Sequence, residues 1–211
     1  MKFQDFWNKS FETYNVDMQE YSKWLEKYND IFKNCETEIL DLGCGVGCDS
    51  IYLFEKGFNI IACDFSKVAL DILKKNNSKI KTKLIDITKK LPFKNNTFDV
   101  IIADLTLHYF NEQTTKSIID EINRVLTDKG VLVARVNSMQ DFNHGAGQGE
   151  KLEENYYFVN GYNKRFFDRL EIDKYFNNLG EVEAIETQML RDKKSKIVWE
   201  IVVKKANLKS E

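Results

Sequence analysis

Short, almost wholly apolar runs separated by amphipathic stretches fill the first two thirds of the chain. This alternation predicts strands buried on both faces, interleaved with helices. The runs at residues 38–42, 59–63 and 97–103 read as such strands, with 81–87 and 131–136 as two more. Helices are expected at 48–56, ended by Gly57, at 67–75, capped by Ser66, and at 114–126. A helix over 168–179 then leads to strands at 181–190 and 196–204, which the charged turn RDKKS makes an antiparallel hairpin. Ahead of the first strand, Trp7, Phe11 and Tyr14, then Tyr21, Trp24, Tyr28 and Phe32, recur at helical spacing and predict one or two amphipathic helices over 3–32. Strands alternating with helices in this way indicate an α/β domain.

The first strand and its sequel carry the chemistry. Residues 39–66 read ILDLGCGVGCDSIYLFEKGFNIIACDFS: a strand, a turn with Gly43, Gly45 and Gly47, a helix, and a second strand running into Asp64. Such a unit offers backbone amides and close backbone approach at the turn, and a carboxylate for a ribose at the tip of the neighbouring strand. The glycine spacing chooses the ligand. A dinucleotide site wants GxGxxG, but here the third glycine comes one position early and Cys48 stands in its place. Asp41, two residues before the turn, would repel a pyrophosphate and welcome an ammonium or sulfonium. The turn therefore favours S-adenosylmethionine over a nicotinamide dinucleotide.

DLGCGVG, followed by ACDFS, LIDI and FDVIIADLTLHYF, resembles the motif series of class I S-adenosylmethionine-dependent methyltransferases over roughly residues 38–137. The resemblance implies a doubly wound, Rossmann-like, mostly parallel seven-stranded sheet with an antiparallel last strand, and the cofactor across the carboxyl ends of its first strands. By motif position it implies that Asp64 accepts both ribose hydroxyls, with Phe65 against the adenine and Ser66 beside it. Asp86 then accepts from the adenine amino group next to the Ile87 backbone. Asp41, Gly43, Cys44 and Gly45 serve the methionine portion, and Asp104 and Leu105 line its methyl end. The spent cofactor would be S-adenosylhomocysteine. The resemblance does not name an acceptor.

Composition bounds the rest. A chain of 211 residues, 43% hydrophobic and 30% charged, suits one domain over 1–211, with a helical cap at 1–34 and a substrate lid at 138–169. The formal charge of −2 argues against a nucleic-acid partner, although nine lysines between Lys67 and Lys94 keep that alternative open. No apolar run approaches membrane length and no signal peptide is evident, so a cytoplasmic enzyme is expected. The four cysteines fit neither a disulfide framework nor a metal site: Cys44 and Cys48 lack the third ligand of an iron–sulfur motif, whose position is Ile51.

Candidates for acceptor chemistry follow the fourth strand. Asp104 and His108 are the catalytic candidates, His108 as a general base for a hydroxyl or thiol or, alternatively, as a cofactor contact. The sequence Asp-Leu-Thr-Leu departs from the [DNS]PP[YF] run of enzymes that methylate exocyclic base amines. His144, in the HGAGQG stretch, forms with Lys164 and Arg165 a possible clamp for an acidic acceptor. Tyr14 and Tyr21 are the aromatic residues expected to face a ligand. The reading is thus a methyltransferase acting on a small-molecule acceptor, with RNA or protein methylation, or a non-catalytic cofactor-binding module, as alternatives.

Overall fold

A computed structural model describes residues 3–12, 23–191 and 193–206, so Tyr14 and Tyr21 lie outside the described residues. Seven strands form one sheet in the order β3-β2-β1-β4-β5-β10-β9, built from β1 (Ile39–Leu42), β2 (Ile60–Asp64), β3 (Lys81–Leu84), β4 (Phe98–Asp104), β5 (Leu126–Asn137), β9 (Gly180–Arg191) and β10 (Lys194–Lys205). β1 runs parallel to β2 and β4, and β2 parallel to β3, whereas β10 is antiparallel to both β5 and β9. This is the seven-stranded, mostly parallel sheet with an antiparallel last strand that the resemblance implies. A second sheet, absent from the pattern reading, holds β6 (Glu150–Glu153), β7 (Tyr156–Val159) and β8 (Tyr162–Arg165). The chain divides into two compact units, one of residues 1–102 and 125–127, the other of 103–124 and 128–211.

In the first unit, all four residues of β1 are buried, as a strand covered on both faces requires. Its partners pack into one cluster of Leu25, Phe32, Ile39, Leu53, Ile60, Val100 and Ile102, against which Trp24 and Tyr28 lie. The aromatic stripe after residue 22 is therefore a core face, carried by a 3₁₀ turn (Lys23–Tyr28) and α2 (Asn29–Lys33); α1 (Phe3–Glu12) precedes them. Helix α3 (Cys48–Glu55) starts at Gly47, whose φ of +88° is a left-handed conformation. A Cβ there would meet Leu73 Cδ1 at 2.3 Å, so Gly47 lets α4 (Lys67–Asn76) pack down on the turn. Ser66 caps α4 as expected, its Oγ accepting from the Ala69 N–H at 3.2 Å. The edge strand β3 is largely exposed and carries Lys81 and Lys83, charges that discourage strand addition at an open edge.

In the second unit, β5 and β10 supply buried residues from Leu132 to Asn137 and from Val198 to Val203, with Trp199 less deeply covered, and α5 (Glu112–Val125) and α6 (Arg169–Phe176) belong to the same unit. The β7–β8 hairpin closes through Asn160 and Gly161, both at positive φ (56° and 90°), the backbone that a two-residue hairpin turn demands. Two glycines of HGAGQG, Gly145 and Gly149, serve close packing on this hairpin. A Cβ at Gly149 would meet the Phe158 carbonyl oxygen at 2.2 Å, and one at Gly145 would meet Val159 at 2.7 Å.

Arg165 corrects the clamp expected from sequence. Its side chain is 1% exposed, and its donors reach Glu171 Oε2 (2.9 Å), Glu153 Oε2 (2.6 Å) and the carbonyls of Glu154 (3.0 Å) and Phe110 (3.4 Å). The guanidinium also lies over the Tyr156 and Tyr175 rings, at 5.1 and 5.4 Å from their centroids. With its fork spent internally, Arg165 is a scaffold residue rather than a ligand for an acceptor.

Arg165→Ala leaves the buried Glu171 carboxylate to the more distant Lys174 (3.4 Å), and should lower the unfolding free energy in a urea titration by about 3 kcal/mol. Gly47→Ala should cost about 1–3 kcal/mol in the same titration, because Leu73 must give way to the new methyl group.

Candidate functional site

Asp64 stands at the carboxyl end of β2 in the first unit. β2 delivers it 5% exposed beside the β1 turn, where Oδ2 accepts from the Gly45 N–H at 2.9 Å and Oδ1 from the Ser66 N–H at 2.8 Å. Burial nevertheless pushes its carboxyl above the ordinary range, the backbone bonds opposing that rise. An ionised carboxylate offers about four acceptor sites, so Asp64 keeps capacity for a ribose hydroxyl beside its backbone bonds. Gly43, Gly45 and Gly47 all stand at positive φ (78°, 54° and 88°), and the N–H groups of Gly43 and Cys44 both reach the Cys63 carbonyl. A Cβ on Gly45 would come within 3.3 Å of the Phe11 ring, and its φ of +54° is a backbone that favours glycine.

α1 is fastened over this turn. Gln4 Nε2 donates to the Phe65 carbonyl at 2.7 Å, and Ser66 Oγ donates to Asn8 Oδ1 at 2.6 Å. The Ser66 hydroxyl is therefore engaged between Asn8 and its own helix, and its remaining contribution is the backbone N–H on Asp64. Asp41 is 2% exposed and accepts from Ser50 Oγ at 2.6 Å, which anchors the turn to the first turn of α3. Asp86 is exposed and folds its Oδ1 onto the N–H and Oγ1 of Thr88 (2.9 and 2.6 Å), while Ile87 is buried. The Cys44 thiol is held well above its ordinary pKa by burial and by the carboxylates of Asp41 and Asp64. The donor set, two buried carboxylates around a glycine turn, fits the adenosyl and amino-acid ends of S-adenosylmethionine.

In the second unit, the end of β4 is clamped by a residue that pattern reading passed over. Arg135 of β5 grips Asp104 bidentately, Nε to Oδ1 at 2.6 Å and Nη2 to Oδ2 at 2.9 Å, and its carbonyl accepts from the Leu105 N–H at 2.9 Å. Both groups are nearly buried, with side chains 3% and 9% exposed. The signal was a lone arginine inside the apolar run VLVARV, since a buried charge requires a partner. Leu105 follows at φ +49°, an uncommon conformation for a side-chain-bearing residue and the kind of strain that gathers at functional sites.

His108 is 2% exposed on the 3₁₀ turn Leu107–Tyr109, and burial together with Lys196, Lys164 and Arg191 holds its pKa well below the ordinary value. A ring that resists taking a proton is poorly suited to the general-base role considered from sequence. Its environment makes it a neutral hydrogen-bonding group instead. His144, on the 3₁₀ turn Phe142–His144, sets Nδ1 2.8 Å from Asp141 Oδ1, and Lys196 Nζ bonds the other Asp141 oxygen at 2.7 Å. Lys164 Nζ donates to the His144 carbonyl at 3.1 Å. Asp141 and Lys196 join the expected pair His144 and Lys164, and neither carries a local sequence signal. Among the described residues no group of His, Cys, Asp and Glu could hold a metal ion.

Residues 39–130 match a family model described as a methyltransferase domain. The demethylmenaquinone methyltransferase of Streptomyces avermitilis is 35% identical over 96 residues, 46% of this chain and 40% of that protein. The tRNA N(3)-cytidine methyltransferase of Bos taurus is 28% identical over 156 residues, 67% of this chain and 41% of that protein. The chain thus spans about two fifths of the length of these two curated relatives. Among solved structures, 1,6-didemethyltoxoflavin-N1-methyltransferase of Burkholderia thailandensis, with bound 1,6-didemethyltoxoflavin and S-adenosylhomocysteine, has a TM-score of 0.69 at 16% identity. The likeness covers 96% of this chain and 87% of that one, and it is a likeness of fold. The matched segment, the strand order and the glycine turn together make the chain similar to S-adenosylmethionine-dependent methyltransferases.

Proposed function

We propose that the protein is an enzyme that transfers a methyl group from S-adenosylmethionine to a small-molecule acceptor. The observation that carries this reading is the Asp64 carboxylate, fixed by two backbone N–H groups beside a turn of three glycines at positive φ. The bound cofactor supplies a methyl already activated on a sulfonium. Asp64 accepts the ribose hydroxyls, and as a charged acceptor it makes stronger bonds than a neutral one would. Asp86 and the Ile87 backbone take the adenine edge, with Phe65 beside it, and Asp41 holds the turn in shape for the amino-acid end. Asp104 is a positioning residue: Arg135 fixes it, and through it the strained backbone at Leu105. What remains for the chain is to align an acceptor lone pair and exclude water.

A second reading, an RNA acceptor, is favoured by one feature. Lys67, Lys74, Lys75, Lys79, Lys81, Lys83, Lys89, Lys90 and Lys94 are all exposed in the first unit. Several are engaged locally, Lys67 with Asp71 and Lys81 with Glu38, and the formal charge of the whole chain is −2. An RNA-binding face would make affinity fall steeply with added salt. Filter binding of bulk tRNA without such a fall, or with no binding at all, leaves the small-molecule reading in place.

Asp64→Ala should weaken S-adenosylmethionine binding by about 1.5–3 kcal/mol in calorimetry, the scale of bonds to a charged group; unchanged affinity refutes the assignment. Because burial raises the Asp64 pKa, the charged acceptor is lost on acidification at a pH above the ordinary carboxylate range of about 4. Affinity should therefore hold at neutral pH and decline through that higher window. Asp64→Asn should abolish the decline.

A further inference from the structure

Two imidazole nitrogens in the second unit stand out. His108 Nδ1 and His144 Nε2 are buried and meet no hydrogen-bond partner among the described residues. Leaving a buried polar atom unsatisfied costs about 1–3 kcal/mol, so a pair of them in one cluster marks a place where a ligand completes the bonding. The cluster is continuous. Lys164 on β8 holds the His144 carbonyl, Lys196 on β10 holds Asp141, and Asp141 holds the His144 ring. Tyr109, next to His108, stacks near Tyr162 at 5.9 Å, and the Lys164 ammonium lies 4.4 Å from the centre of that Tyr162 ring.

Two buried ammonium groups lie in this cluster. Lys164 and Lys196 are 6% and 5% exposed, Arg191 acts on both Lys196 and His108, and Asp141 is the carboxylate paired with Lys196. Although Asp141 draws the Lys196 pKa upward, desolvation dominates, and with Arg191 and Lys164 it brings the amino group down to about 8. Buried ammonium groups beside ring nitrogens that lack a hydrogen-bond partner suit an anionic ligand. A carboxylate only accepts hydrogen bonds, so Asp141 fixes His144 as the Nδ1–H tautomer and leaves Nε2 to accept from a ligand X–H group. In the Nδ1–H tautomer, His108 supplies the complementary donor for an oxyanion.

Building on the methyltransferase reading, we propose that His108, His144, Lys164 and Lys196 form the acceptor subsite, and that the acceptor carries an oxyanion next to a protonated heteroatom. The oxyanion is a carboxylate or a phosphate. It lies against His108 and the two lysines, and the hydroxyl, thiol or amine faces His144.

The chain has only two histidines, so histidine-selective nitrogen labelling of the full-length protein lets NMR follow each ring separately. Titration with sodium acetate and with inorganic phosphate should shift both imidazoles saturably, while sodium chloride at matched ionic strength should not. Whichever anion saturates at the lower concentration identifies the group as carboxylate or phosphate. Lys164→Gln, which keeps a donor for the His144 carbonyl, should raise the midpoint at least about tenfold. The double variant Asp141→Asn/Lys196→Met strands no buried charge and should abolish saturation. Shifts no larger than those with chloride, or midpoints unchanged in both variants, overturn the subsite. Calorimetry of the same wild-type sample with S-adenosylmethionine separates the two readings: donor binding without an anion response removes the subsite alone, and absent donor binding removes the methyltransferase reading.

Discussion

One carboxylate organises the donor side of the molecule. Asp64 ends β2, yet its oxygens are bound by the N–H of Gly45 in the preceding turn and of Ser66 at the start of α4. Two loops that are distant along the chain are thereby pinned to one charge. The geometry of the glycine turn, the entry angle of α4 and the docking of α1 through Asn8 and Gln4 all refer back to it. A neutral residue at this position would lose the charge-assisted bonds and the electrostatic reason for two N–H groups to converge.

The second unit relies on a different economy, in which buried charges are matched in pairs or in a chain. Arg135 with Asp104, Arg165 with Glu171 and Glu153, and Lys196 with Asp141 each fix a loop end to a strand. Such pairs add little net stability over apolar packing, but they enforce one arrangement, because breaking a pair leaves a charge stranded. That rigidity suits a region whose ligand must be recognised by a few polar atoms.

Elements buried on both faces were legible in the sequence because their signal is local. β1, β2 and β4 lie within a residue or so of the apolar runs that predicted them, and Ser66 caps the expected helix. Departures have physical causes. β3 stops at Leu84, and the apolar residues that follow enter a turn which Asp86 closes on Thr88. β5 reaches back to Leu126 through polar residues that no apolar pattern could include. The small sheet carries one local signal, Asn160-Gly161 between YYFV and YNKR, but its four-residue strands are too short to show a period. On the donor side Asp64 and the glycines sit within one supersecondary unit and could be read directly. Arg135, Asp141 and Lys196 matter only through partners 31, 3 and 55 residues away, and for the two long-range pairs no spacing rule announces the contact.

The sulfur of Cys44 sits within the turn that we propose receives the sulfonium. A cationic methyl donor is an electrophile, and a thiolate alongside it would compete for the methyl group and inactivate the protein by self-alkylation. Burial and the neighbouring acids keep this sulfur protonated, hence weakly nucleophilic. The negative charges that would attract the donor thus also protect the protein from it.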